Sequence, residues 1–405
     1  MFKNIKLKKK EEKKETYTFR EMLMIMLFSI IVGAIGCFSF MKLFYEVNNY
    51  SVLTGDLSKL VNVYNTIMTK YYKKVDKDEL IDEAISGMMS VIDDPYTSYI
   101  SEEQAESFHQ KVEGLYEGIG CQVATTTDGD IIVLEVFDNS PAKEAGLLEG
   151  DIILAINDIS LDGKNSIDMA NYVKNTESSE IKLKIKRLEE EKEIVLKREK
   201  VEIPSVYSKI FENNNKKIGY LRITIFSGVT DKQFIKNLEE LEKENIDSLI
   251  IDVRDNSGGY LDTVTNILNK LLPKDSIMYK LETNGKTKNV KVTDKEKRSY
   301  PIAVLTNKST ASASEILASA IKENYGGYIV GDRTFGKATV QQTKTLTDGS
   351  MLKYTTQKWL TPNGNWINEI GLEPTNEVSL DESYYENPVY ENDNQLNTAI
   401  KILSE

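Results

Sequence analysis

The chain has 405 residues, 40% of them apolar and 28% charged, with a formal net charge of −12 and an isoelectric point near 5.0. Those proportions suit two or three folded domains and exclude a disordered or fibrous chain. They also disfavour a nucleic-acid partner, because neutralising phosphates takes a clustered basic face, and the only dense basic cluster lies at the extreme N-terminus. Two cysteines, Cys37 and Cys121, and a single histidine, His109, offer neither a disulfide framework nor a metal site.

The basic cluster comprises Lys3, Lys6, Lys8, Lys9, Lys10, Lys13 and Lys14, and an uncharged apolar stretch from Met22 to Met41 follows it. A helix of that length crosses a bilayer core of about 30 Å. Lysines ahead of the span hold residues 1–21 in the cytoplasm, so residues 22–44 read as a single-pass anchor with everything beyond it outside. No Ala-x-Ala pattern marks a signal-peptide cleavage site. Ala34-Ile35-Gly36-Cys37 loosely matches a lipoprotein box without its leading leucine, which keeps lipidation of Cys37 as a lesser alternative.

Residues 45–112 read as a helical element. One helix begins at Asp56 with an apolar face of Leu57, Leu60, Val61, Tyr64, Ile67, Met68 and Tyr71. A second carries a capping box at Asp76 and Glu79, buries Leu80, Ile81, Ala84, Met88 and Val91, and stops at Asp94-Pro95; a third starts at Ser101. From 113 to 200 the spacing predicts short strands separated by turns, with a helix opened by Ser140 as N-cap and Pro141 at its first position. From 201 to 375 strands alternate with helices, one capped by Thr230 and another starting at Ser312. This pattern predicts an α/β layer fold with antiparallel strands added. An acidic tail, 376–405, ends in a helix over Gln395 to Leu403.

Ser309-Thr310-Ala311-Ser312-Ala313-Ser314-Glu315 lies where a strand ends and a helix begins. Small residues there let a substrate reach the backbone, and free N–H groups of the first turn can hold an oxyanion; a plain helix cap would look the same. Gly331 to Gln341 adds Lys337 among Phe335, Ala338 and Val340, a setting that can desolvate an ammonium and lower its pKa. The segment also approaches the phosphate-loop pattern, but Ala338 replaces the metal-binding hydroxyl, and β-branched residues follow where that motif requires a helix. A Ser/His/Asp triad would have to use His109, which precedes the β-rich module.

Three motifs in order, Val253 to Gly259, Thr310 to Glu315 and Thr334 to Ala338, resemble those of the C-terminal processing peptidases, tail-specific proteases of the Ser/Lys type. The resemblance extends over nearly everything after the apolar span, with Ala338 in place of a common glycine and Ser257 in place of a common proline. It implies Ser312 as nucleophile, Lys337 as general base and Gln341 as the residue orienting the lysine, four positions on along a strand. It implies an oxyanion hole from the N–H groups of Ala313 and a glycine of the Asp255–Gly259 loop, Gly258. The β-rich module resembles a PDZ domain, with Gly118, Ile119 and Gly120 in the carboxylate-binding loop and Ile119 and Val123 lining the groove beside it.

The expected fold is thus an α/β protease core of mixed sheet with helices, an inserted β-rich PDZ-like domain and an N-terminal transmembrane helix. The expected activity is serine endoproteolysis outside the cytoplasm on proteins with free, apolar C-termini. No metal and no organic cofactor is called for, and self-assembly into a homo-oligomer stays open. Asp252, Arg254, Asp255 and Glu315 read as structural ion pairs or caps. The alternative is a membrane-tethered, non-catalytic PDZ scaffold with a degenerate core.

Overall fold

The computed structural model describes residues 18–294 and 298–405, so the lysines at positions 3 to 14 lie outside the described residues. The first of two compact units, residues 1–84, is dominated by helix α1, Phe19–Lys70. Thr18 caps α1 in a reciprocal box with Glu21. Phe19–Lys42 is apolar and long enough to cross a membrane. The helix does not restart at Asp56 as its periodicity suggests; the 52 residues are continuous, because no proline interrupts them and Gly55 adds only a small helical penalty. Helix α2, Lys77–Met89, begins where expected, with Asp76 accepting from the N–H groups of Asp78 and Glu79. Its expected buried face is not buried: Val91 is 84% exposed, Met88 46% and Ile81 37%.

The second unit, residues 85–405, takes in the end of α2 and then strand β1, Ser98–Ile100, and helix α3, Glu102–Glu113. An inserted β domain follows. Strands β2, Leu115–Gly118, and β9, Glu199–Glu202, form a two-stranded antiparallel ribbon at its entry and exit. Between them run β3 Cys121–Thr125, β4 Ile131–Val136, helix α4 Pro141–Glu144, β5 Ile152–Ile156, β6 Ile159–Ser160, helix α5 Ser166–Asn175, β7 Glu180–Arg187 and β8 Glu190–Lys197. The sheet has the order β3-β4-β5-β7-β8, with β6 beside β5. Alternation along β7 sends Ile181, Leu183 and Ile185 into a core shared with Ile131, Ile153, Met169 and Val173.

The remaining core is a six-stranded sheet of β10 Val206–Asn213, β11 Lys216–Ile223, β12 Ser248–Asp252, β15 Ile302–Thr306, β16 Tyr328–Gly331 and β19 Asn376–Glu377, in that order. All its neighbours pair in parallel except β10 with β11. Parallel strands covered on both faces read as continuous apolar runs, and every residue of β12 and β15 is buried. Along β12, Leu249 and Ile251 face helices α6 (Thr230–Lys243), α7 (Leu261–Leu271) and α8 (Ala313–Ala320), while Ile250 faces the other way. There it meets Leu396, Ala399 and Leu403 of helix α10, Asn394–Ser404, which follows the short α9, Glu382–Glu386. The tail therefore supplies one layer of an α/β/α sandwich. Thr230 is the first residue of α6 and not its cap, since Val229 holds that place while the Thr230 hydroxyl accepts from the N–H of Ser227. The helix beginning at Ser312 ends its regular part at Ala320 and closes with a π turn, Ile321–Tyr325, before Gly326.

A second antiparallel sheet joins distant segments. The hairpin β13 Ile277–Thr283 and β14 Lys286–Lys291 pairs with β18, Met351–Leu360, which also binds β1 and β17, Thr339–Thr345.

Candidate active site

Parallel sheets place their functional loops at the carboxyl ends of the strands, and here β12 and β15 both deliver loops to one place. After β15 the chain turns at Thr310, whose hydroxyl donates to the carbonyl of Val253 (2.9 Å), beyond β12. Ser312 follows with φ 56° and ψ −115°, a conformation that costs a non-glycine residue roughly 1–3 kcal/mol. Fully buried Asn256 secures the crossing. Its carbonyl accepts from the N–H of Ala311 (3.0 Å) and the hydroxyl of Ser314 (2.9 Å). Gly258, at φ 102°, lies so close that a Cβ there would stand 2.9 Å from the Cβ of Ser312 and 3.0 Å from the N of Ala313.

One carboxylate ties this turn to the segment that carries Lys337. Glu315, fully buried, accepts from the N–H of Ser312 (2.8 Å) and the N–H of Lys337 (2.9 Å) on Oε2, and from the hydroxyl of Thr334 (2.6 Å) and the N–H of Gly336 (2.7 Å) on Oε1. Burial pushes its carboxyl above the usual range, and the four donors oppose that rise by holding the charged form. The Lys337 turn is fixed from behind as well: the indole N–H of buried Trp359 donates to the carbonyl of Lys337 (3.0 Å), and the side chain of Asn368 accepts from the N–H of Ala338 (3.1 Å).

The Lys337 ammonium lies 4.6 Å from the centre of the Tyr96 ring. Burial first, then the charge of Lys353, lowers its pKa to about 8, against the opposing pull of Asp94 and Glu315. The expected apolar neighbour Phe335 is 54% exposed; Tyr96, from the turn before β1, covers the amine instead. Asp94 shapes that turn by accepting from the N–H of Tyr96 and the hydroxyl of Thr97.

Gln341 lies in β17, but Lys337 precedes the strand and the register slips between Val340 and Gln341, so simple alternation does not relate the two. The Gln341 amide nitrogen donates to the hydroxyls of Thr339 (2.9 Å) and Thr355 (3.1 Å), which leaves its oxygen free to accept. The N–H of Gly258 is occupied, donating to the side-chain oxygen of Asn256 (2.8 Å), whereas among the described residues that of Ala313 has no partner.

In the inserted domain, Gly118 belongs to β2 and not to the loop after it. Ile119 and Val123 line a cavity of about 310 Å³ together with Cys121, Met169 and Val173. The carbonyls of Ile119 and Gly120 accept from the N–H groups of Ala142 and Phe137, which fixes the turn against α4 and the end of β4.

The sequence profile of peptidase family S41 matches residues 217–378, that of the activating protease CtpB N-terminal domain matches 30–104, and that of the PDZ domain matches 118–197. The carboxy-terminal processing protease CtpB of Bacillus subtilis is 39% identical over 85% of this chain and 72% of its own length. CtpA of the same organism is 36% identical over 82% and 71%. The chain belongs to the carboxy-terminal processing proteases. A solved S41-protease structure from Bacteroides fragilis shares the fold, with a TM-score of 0.51 at 18% identity over 83% of this chain and 91% of the other.

As a processing protease of the serine type, the molecule acts on protein substrates. His109 sits exposed on α3, and no contact among the described residues joins it to Ser312. The phosphate-loop lookalike is no loop-helix unit, for Lys337 leads into strand β17. Glu315, which the sequence suggests only as a cap, turns out to join both halves of the site; its signal is the spacing Ser312-x-x-Glu315, which lets one carboxylate reach back to the helix start. Tyr96 and Asp94 carry no comparable signal, because their role depends on β1 pairing with β18, which lies some 250 positions further on.

Proposed function

We propose that this processing protease is anchored by one N-terminal helix, works outside the cytoplasm and cuts proteins bearing free, apolar C-termini with Ser312 as nucleophile and Lys337 as general base. The observation that carries the dyad is Glu315: one buried carboxylate gathers the backbones of both residues while burial lowers the pKa of the Lys337 amine to about 8. A lysine that loses its proton near pH 8 can take the hydroxyl proton of Ser312 as its oxygen attacks the peptide carbonyl. The tetrahedral oxyanion is met by the N–H of Ala313 and by that of Gly258 once Asn256 releases it. Lys337 then protonates the leaving amine, and in the second half-reaction it activates the water that frees the acyl-enzyme. Gln341 orients Lys337 through its free amide oxygen. The turn at Ile119 and Gly120, entered from Gly118, holds the substrate's terminal carboxylate.

The test is a set of three substitutions on a peptide substrate. Ser312→Ala and Lys337→Ala each remove nearly all turnover, and the double variant loses little more, because the two residues act as a unit. His109→Ala keeps the wild-type rate. Retained activity in Lys337→Ala alongside its loss in His109→Ala would refute the dyad.

A further inference from the structure

A receptor for substrate tails requires the Gly120 N–H, just after Ile119, to be open to a carboxylate. It is not. The phenol oxygen of Tyr116, on the ribbon strand β2, accepts the hydrogen bond of the Gly120 N–H at 3.0 Å. Burial pushes the Tyr116 hydroxyl up to about 12, partly offset by the N–H groups of Gly120 and Cys121, so it is a neutral acceptor at physiological pH. The ring reaches the turn only because position 118 is glycine: a Cβ there would stand 2.2 Å from the ring's Cε2. On its other side the ring meets Phe137 edge-on, with centroids 6.4 Å apart. Beyond it a cavity of about 310 Å³ remains open, lined by apolar residues such as Ile119, Val123 and Met169 and by the charged Glu106, Lys174 and Arg198. The cavity is therefore open while the Gly120 N–H beside it is filled.

Resting on the proposed tail-binding role of the inserted domain, we infer that Tyr116 is an internal occupant of the carboxylate site. Its hydroxyl stands where one oxygen of a substrate's terminal carboxylate binds, and it sets the affinity threshold for tails. Every tail has to displace it. A carboxylate gains from the exchange, since charge-assisted hydrogen bonds are about twice as strong as neutral ones. An amide, or a carbonyl from the middle of a chain, only matches the phenol it replaces and stays out. Tyr116 thus acts on the affinity for tails, not on the chemical step.

The experiment uses the full chain in detergent with a fluorogenic peptide ending in valine and its C-terminal amide, on wild type and Tyr116→Phe. The substitution keeps the ring and removes only the oxygen. With a net hydrogen bond worth about 0.5–1.5 kcal/mol, KM for the acid falls about two- to twelvefold while kcat stays unchanged. KM for the amide falls by a similar factor, because the displaced hydroxyl is a cost common to both. A wild type that cleaves acid and amide equally well overturns both the tail-binding role and the role of Tyr116. A wild type that prefers the acid, with KM unchanged or raised in Tyr116→Phe, overturns the role of Tyr116 alone.

Discussion

The carboxylate of Glu315 accepts four hydrogen bonds and is fully buried, which makes it sensitive to a change of one atom. In Glu315→Gln one oxygen becomes an NH₂ group; on the Oε2 side it would face the N–H groups of Ser312 and Lys337, and on the Oε1 side that of Gly336, where only the Thr334 hydroxyl can turn to accept. Hydrogen bonds to charged groups contribute about 1.5–3 kcal/mol each, so the variant should lose about 3 kcal/mol of stability. It should also lose roughly a hundredfold in kcat as the Ser312 and Lys337 turns drift apart, a shift of the size that small misplacements cause. Peptide hydrolysis and thermal unfolding measured together check both; a normal kcat would remove Glu315 from the machinery. Lys337 gives a pH-dependent companion. Its amine, lowered from 10.5 to about 8, is charged in the unfolded chain and neutral in the folded one between those values. The unfolded state then binds more protons, so stability rises with pH across that window and the penalty of a buried ammonium is full below pH 8. Lys337→Met should therefore unfold at a higher temperature than wild type at pH 7, with the gap narrowing toward pH 10.5, while wild-type kcat climbs with pH through about 8. At this scale the turns that carry Ser312 and Lys337 are legible in the sequence, since small residues around a serine and glycines around a lysine are local features. The occupied N–H of Gly258 is not legible, because it depends on which way the Asn256 side chain turns.

Among the elements, the helix expected over Gln395 to Leu403 at the end of the acidic tail forms as α10, and it packs Leu396 and Ala399, fully buried, against the central sheet, a contact that the tail's sequence does not announce. Its N-cap Asp393 is held by Arg254, which also grips Asp252 at the end of β12 and Gln395 in the helix itself. The Tyr220 hydroxyl completes the cluster by donating to Asp252 (2.8 Å). Removing Asp393 leaves Arg254 paired with Asp252 but takes away two of its hydrogen bonds and the N-cap of α10, so Asp393→Ala should destabilise the protein by about 3 kcal/mol. Because Arg254 opens the loop that leads to Gly258, kcat should fall as well, even at temperatures where the variant stays folded. Urea unfolding and peptide hydrolysis check the two effects; a loss under about 1 kcal/mol, the level of an exposed pair, would mean that the helix is held by apolar packing alone. Strands β4, β5 and β7 of the inserted domain are legible to within a residue, since alternation and turn residues mark them, whereas the short β2, β6 and β9 are not. The β13–β14 hairpin is not, because Lys280 to Lys291 is largely polar and its pairing comes from β18, far along the chain.

For the whole molecule, the proposed topology places everything after Phe19–Lys42 on one side of a membrane. Protease added to intact spheroplasts should then digest the Ser312 domain, and protection of that domain would refute the orientation. Domain order is readable from sequence because each module carries its own periodicity, whereas the closure of the molecule is not. That closure has a consequence in time. Strand β18, at residues 351–360, pairs with β1 at 98–100, and helix α10 covers the central sheet only with the last residues of the chain. A chain emerging from the ribosome N-terminus first can complete the inserted domain early, since its contacts are local. Tyr96 cannot settle over Lys337, nor Arg254 find Asp393, until nearly the whole polypeptide exists. A nascent or prematurely terminated product therefore carries a folded inserted domain while the turns of Ser312 and Lys337 still lack the contacts of Tyr96 and Arg254.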